Sequence, residues 1–170
     1  MTLLKYSFSL TPPPPAQPPP PEVKHAYAYS EFLLDLLPRW RQIPTAEENT
    51  LNFQSDADGA AIIISADFYD IPDDKAQAIA EKCLSSRLDA LRKADPGAIH
   101  VLQQSIKPHS GGVGLELSLA AEVEGGAVHL YLGYVTSRKI LNFSMICPPG
   151  RHEAAALFNA TVPGFRPRLP

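Results

Sequence analysis

Between Val113 and Cys147 apolar and polar residues alternate through three successive segments. Leu115, Leu117, Leu119, Ala121 and Val123 alternate with Glu116, Ser118, Ala120 and Glu122, the period of two required of a strand with one buried face. Gly125-Gly126 predicts a tight hairpin, and a two-residue loop there pairs Leu117 with Tyr134, Leu119 with Leu132, Ala121 with Leu130 and Val123 with Val128. Ser137-Arg138 as a second two-residue loop pairs Tyr134 with Leu141, Leu132 with Phe143, Leu130 with Met145 and Val128 with Cys147. On this reading one apolar face runs through all three strands, and a one-residue slip would break every pairing. The opposite face then carries Glu116, Glu122, His129, Tyr131, Asn142 and Ser144, together with Val135, Ile140 and Ile146. Those three aliphatic residues predict a covering layer, whereas the polar six predict an exposed contact surface, and both readings stay open.

The same pattern locates the remaining elements. Phe32, Leu34 and Leu36 alternate within Ala26 to Leu37, which reads as one or two strands closed by Leu37-Pro38-Arg39-Trp40. Leu51 and Phe53, then Ile62 and Ile64, flank Asp56-Ala57-Asp58-Gly59; a hairpin over that loop pairs Phe53 with Ile62 and Leu51 with Ile64. From Pro72 to Lys93 the period becomes helical, with Ala76, Ile79, Ala80, Cys83, Leu84, Leu88 and Leu91 on one face. Asp73 and Asp74 stand at its start, Arg87, Arg92 and Lys93 towards its end, and Pro96-Gly97 stops it. Ile99 and Val101 begin a strand that runs to Pro108. Glu153 to Phe158 reads as a short closing helix. The predicted class is therefore α+β: an antiparallel sheet of about six to seven strands in the order β-β-β-α-β-β-β-β-α, packed against one long helix and a short C-terminal one, like an α/β/α sandwich.

Eight of the 18 prolines lie between Pro12 and Pro21, a composition for extended polyproline II and not for packing. Residues 1–24 are thus read as a proline-rich tail, a spacer or a docking element, and residues 25–170 as one α+β domain. The 170 residues, 45% apolar, are enough for one hydrophobic core. A formal charge of −3 without runs of one sign argues against nucleic acid as a partner. The first ten residues make a poor signal peptide and no stretch approaches the ~20 apolar residues of a membrane span, so the expected location is cytoplasmic.

Candidate chemistry is sparse. Cys83 and Cys147 fall on a predicted helix face and a predicted strand face, where free cysteine behaves as a small hydrophobe. None of the five histidines stands at metal-ligand spacing, and Asp56-Ala57-Asp58-Gly59 lacks the other ligands of a calcium loop. Ser110-Gly111-Gly112-Val113-Gly114 precedes a strand, whereas a phosphate-binding glycine loop opens a helix. No metal or cofactor is expected. His129, placed across from Glu122, and Tyr131, paired with Ser144, are the most interesting polar residues, though such groups on a sheet are ordinarily solvated or helix-covered. Trp40, flanked by Arg39 and Arg41, is either a lid over one end of the core or the anchor of a partner site.

The segment Phe32-Leu33-Leu34-Asp35-Leu36-Leu37-Pro38-Arg39-Trp40 resembles the strand of the PsbP-like and Mog-type superfamily that ends in a Leu-Pro-x-x-Trp turn. That superfamily also includes the bacterial DcrB-like proteins. Here Pro38 and Trp40 are separated by one residue, one fewer than in the motif. Asn52-Phe53-Gln54-Ser55 before an Ile-rich strand, and the stretch from Ala154 to Phe165, extend the resemblance over Ala26 to Phe165. It specifies packing and carries over no functional residue. It implies a non-enzymatic protein-binding module: an adaptor, an assembly factor, or a chaperone-like protein of a secreted bacterial effector. Glu116, Glu122, His129, Tyr131, Asn142, Ser144 and Trp40 are its candidate partner-binding residues, with Tyr131 the large amphipathic anchor. The alternatives are a binder of small molecules or lipids in an apolar cavity between sheet and helix, and a hydrolase-type enzyme.

Overall fold

The computed structural model describes residues 23–95 and 97–169; the proline-rich segment lies outside them. The chain runs through β1 (His25–Ala28), β2 (Phe32–Leu36), β3 (Arg41–Ile43), β4 (Thr50–Ser55), β5 (Ala60–Phe68), α1 (Ala76–Ala94), β6 (Ile99–Pro108), β7 (Leu115–Val123), β8 (Val128–Val135), β9 (Lys139–Cys147), α2 (Arg151–Thr161) and β10 (Phe165–Pro167). Seven strands form the main antiparallel sheet in the order β3-β4-β5-β9-β8-β7-β6, and three form a smaller one, β1-β2-β10. The fold is α+β, as the periodicity predicts. The three-residue strands β3 and β10 escape a reading by period because they are too short to alternate twice.

Each helix covers one face of the main sheet. Helix α1 buries Ala76, Ala80, Leu84 and Leu88, four residues at i, i+4 spacing, against Leu117, Leu119, Ala121, Tyr131, Val135 and Ile140. Helix α2 and the small sheet cover the other face, where Phe32, Leu34, Leu36, Trp40 and Phe165 join Phe53, Ile62, Ile64, Phe143 and Met145. Phe143 sits at the centre of this second core, with its ring centroid 5.3 Å from Phe165 and 6.0 Å from Phe158. The small sheet is also tied to the large one by charge. The buried Lys139 ammonium donates to Glu31 Oε2 and, at 2.7 Å, to the carbonyl of Arg168.

Two of the three predicted registers hold. Phe53 pairs with Ile62 and Leu51 with Ile64. Tyr134 pairs with Leu141, Leu132 with Phe143, Leu130 with Met145 and Val128 with Cys147. The β7–β8 register is one residue away from the prediction: Leu117 pairs with Gly133, Leu119 with Tyr131, Ala121 with His129, and Glu122 with Val128. The cause is the turn. The Val123 N–H donates to the Ala127 carbonyl at 3.0 Å, so the loop is Glu124-Gly125-Gly126, with Gly125 at φ +67°. A three-residue loop with glycine in the left-handed region replaces the two-residue one. By the period-two rule this turns the whole apolar row of β7 towards α1, and Glu116, Ser118, Ala120 and Glu122 towards α2.

Candidate functional site: a polar seam beneath helix α1

The shifted register separates the six polar residues of the supposed contact face. His129, Tyr131, Asn142 and Ser144 lie on the α1 side. Glu116 and Glu122 lie on the α2 side, where Glu122 accepts from Arg151 Nε and Nη2, each at 3.1 Å, and Glu116 lies 3.8 Å from Lys107 Nζ. His129 therefore does not face Glu122. Nor is Tyr131 an exposed anchor: it is 4% exposed, under α1. Trp40, also 4% exposed, closes one end of the α2-side core, and the arginines flanking it pair with the β4–β5 loop, Arg39 with Asp58 and Arg41 with Asp56. It is a lid and not a surface anchor.

What the fold assembles from the other four is a polar seam between α1 and the sheet. Gly133 is the residue that permits it. A Cβ at Gly133 would overlap the Tyr131 hydroxyl, so Tyr131 lies along its own strand over the bare glycine. Gly133 pairs with Asn142 on β9. The phenol thereby arrives at Asn142 and donates to its Oδ1 at 2.5 Å, while Asn142 Nδ2 donates to Ser65 Oγ at 3.2 Å. From above, Cys83 Sγ stands 3.4 Å from the Tyr131 oxygen, and Arg87 lays its guanidinium over the ring, 3.8 Å from the centroid. Arg87 Nη1 donates to Ser144 Oγ at 2.9 Å. Cys83 and Arg87 are one helical turn apart, which puts both over the same strand.

Burial governs the titration of this seam. It holds the Tyr131 phenol far above its ordinary range, against the opposing charge of Arg87. It also lowers the His129 pKa below 6.5, a shift partly offset by Asp95. Neither group is tuned towards acid–base exchange near neutrality: the phenol stays protonated and the imidazole neutral. Sequence periodicity placed Arg87 only among the basic residues towards the helix end. Its position four residues from both Cys83 and Leu91 was the available sign that it faces the sheet.

Elsewhere, the Asp56-Ala57-Asp58-Gly59 stretch is a turn in which Ser55 Oγ donates to Asp58 Oδ2 at 2.7 Å. Among the described residues no three His, Cys, Asp or Glu side chains converge as a metal site would need. Cys83 and Cys147 are free and lie in opposite layers. No helix among the described residues is long and apolar enough to cross a membrane.

No protein-family pattern and no curated protein matches the chain. Among solved structures, it is similar to cyanobacterial PsbP (CyanoP) from Synechocystis sp. PCC 6803, with a TM-score of 0.60 and 14% sequence identity, covering 94% of this chain and 99% of that one. The fold is PsbP-like. At 14% identity the likeness concerns the fold and leaves the side chains of the seam to be read on their own terms.

Proposed function

We propose that this protein is a non-enzymatic protein-binding module, an adaptor or assembly factor, and that the partner adds a strand to the edge of the main sheet at β6. The observation carrying this reading is β6 itself. It is a ten-residue strand at the end of the sheet, paired among the described residues only with β7, and His100 to Gln104 are exposed in succession. Within that stretch Val101 is 42% and Leu102 37% exposed, and the register slips between Val101 and Gln103. An edge strand leaves a row of N–H and C=O groups open to another chain, and exposed aliphatic side chains beside it supply apolar contact. Uncontrolled pairing is limited by the bulge at Leu102, within that stretch, and by Lys107-Pro108 at the end of the strand. The non-catalytic reading is supported by the seam, where the Tyr131 hydroxyl, the Asn142 amide and the Ser144 hydroxyl engage one another or Arg87 beneath a helix.

The test is site-specific photo-crosslinking in native extract, with the crosslinking residue at Leu102 on β6 or at Gln77 on the exposed side of α1. A discrete adduct from Leu102 that is absent from Gln77 supports strand addition at β6. Adducts from both positions, or from neither, overturn it.

A further inference from the structure

One charge in the seam has no counterpart. Arg87 forms no ion pair with any described residue, although its side chain is half-buried between α1 and the sheet. Its Nε is sealed from solvent without a hydrogen-bond acceptor. Among the described residues its one hydrogen bond goes to a neutral hydroxyl, Ser144 Oγ. A half-buried guanidinium lacking a carboxylate loses part of its hydration, which the Ser144 hydroxyl and one aromatic face only partly replace. The Ser144 oxygen accepts from Arg87, and its own proton has no acceptor among the described residues.

Beside this pair, a groove of about 290 Å³ opens between the second half of α1 and strands β5, β9 and β8. Its walls are mainly apolar: Ile63, Ala90, Leu91, Ala94 and Ile146, with His129 at one side. The groove exists because α1 lies over β7 and β8 and leaves β5 and the Ser144–Ile146 end of β9 open beyond it, with Ile63 37% exposed there. Ligand pockets of this kind combine an apolar body with a few convergent polar groups.

We infer that this groove binds a small monocarboxylic acid, whose carboxylate takes the place of the missing counter-ion at Arg87 and accepts the Ser144 proton, and whose apolar body lies against Ile63, Leu91 and Ile146. Guanidinium and carboxylate match in charge and planar geometry. A carboxylate fits better than a phosphate because the site offers one cation and one hydroxyl. His129, held neutral by burial, adds no second positive charge. The volume, just below the usual range of about 300–1,000 Å³ for ligand pockets, suits a short acyl chain. This site lies on the α1 side of the sheet, away from the β6 edge, and stands or falls independently of strand addition there.

The experiment is a titration of the full chain with sodium octanoate, followed by isothermal calorimetry and by amide chemical shifts, with octanol as the uncharged probe. Octanoate is expected to saturate with a Kd below about 1 mM, to shift the amides of Ile63, His129 and Ser144, and to bind at least about tenfold tighter than octanol. Arg87→Met is expected to remove that preference. Ala90→Trp, at an exposed position on the groove wall, is expected to block octanoate while leaving Arg87 and the fold in place, as read by circular dichroism. Absence of saturation, equal affinity for octanol, or octanoate binding that survives Ala90→Trp would each overturn the inference.

Discussion

Glu122 on β7 and Arg151 at the start of α2 form a two-point ion pair, with both nitrogen-to-oxygen distances 3.1 Å. The contact exists only because β7 turns its carboxylates away from α1, so it is a direct readout of the β7–β8 register. The Arg151 hydrogen bonds hold the Glu122 carboxyl below its ordinary range. A carbon-detected NMR titration is expected to place the Glu122 midpoint below that of an unpaired glutamate, and Arg151→Ala is expected to return it upwards. With a lowered folded pKa, the tie contributes at and above the ordinary glutamate pKa and is lost as pH falls through the folded value. Because the pair is solvent-exposed, its loss should move the melting temperature little.

Tyr131 and Gly133 form a coupled pair. Tyr131→Phe removes the donor to Asn142 and is expected to cost about 1–3 kcal/mol by urea unfolding. Gly133→Ala forces a methyl group into the hydroxyl of Tyr131 and is expected to cost a similar 1–3 kcal/mol, roughly. The double variant should be less destabilised than the sum, because removing the hydroxyl relieves the closest overlap, although the ring carbon Cζ at 2.6 Å still has to move. Additivity would show that the two residues do not touch.

The Lys139–Glu31 tie predicts an asymmetry. The Lys139 side chain is 9% exposed and that of Glu31 26%. Glu31→Ala strands a buried ammonium and is expected to cost on the order of 3 kcal/mol. Lys139→Met leaves a carboxylate that water can reach and should cost about half as much. Chemical denaturation of the two variants checks the order; the reverse order would mean that the ammonium finds water.

His129 gives the fold a pH dependence of its own. Its pKa is lowered by burial, so the unfolded chain binds more protons in the interval between the folded and unfolded values, and stability rises with pH there. The contribution is fully present above about 6.5 and is lost as pH falls through the folded value. Urea midpoints between pH 5 and pH 8 should show this slope, and His129→Gln should flatten it.

Cys147, 2% exposed, has its thiol pushed up to about 11 by burial, reinforced by the charge of Asp58. Cys83 is only half-buried. A thiol reagent at pH 7 is expected to label Cys83 in the folded protein and Cys147 only after denaturation, as counted by mass spectrometry.

Much of this architecture is legible in the chain. The long helix shows in the recurrence of Ala76, Ala80, Leu84 and Leu88, and the β4–β5 and β8–β9 registers follow from loops of even length between alternating strands. That Tyr131 stands opposite Ser144 is equally a matter of counting. These are local properties, set by side-chain period and turn length.

The β7–β8 register was decided beyond that reach. Gly125-Gly126 is compatible with a two-residue and a three-residue loop, and both registers bury an apolar row of β7. Only the presence of a second covering layer, α1, makes the face that carries Tyr131 a core instead of a surface. Similarly, Gly133 gives no sign in sequence that it makes room for a phenol, and the spacing of Arg87 from Cys83 and Leu91 marks the face it lies on but not what it meets there. The period of the side chains determines which residues share a face of one strand. Which faces meet, and which charge is left without a partner between them, depends on packing between elements far apart in the chain.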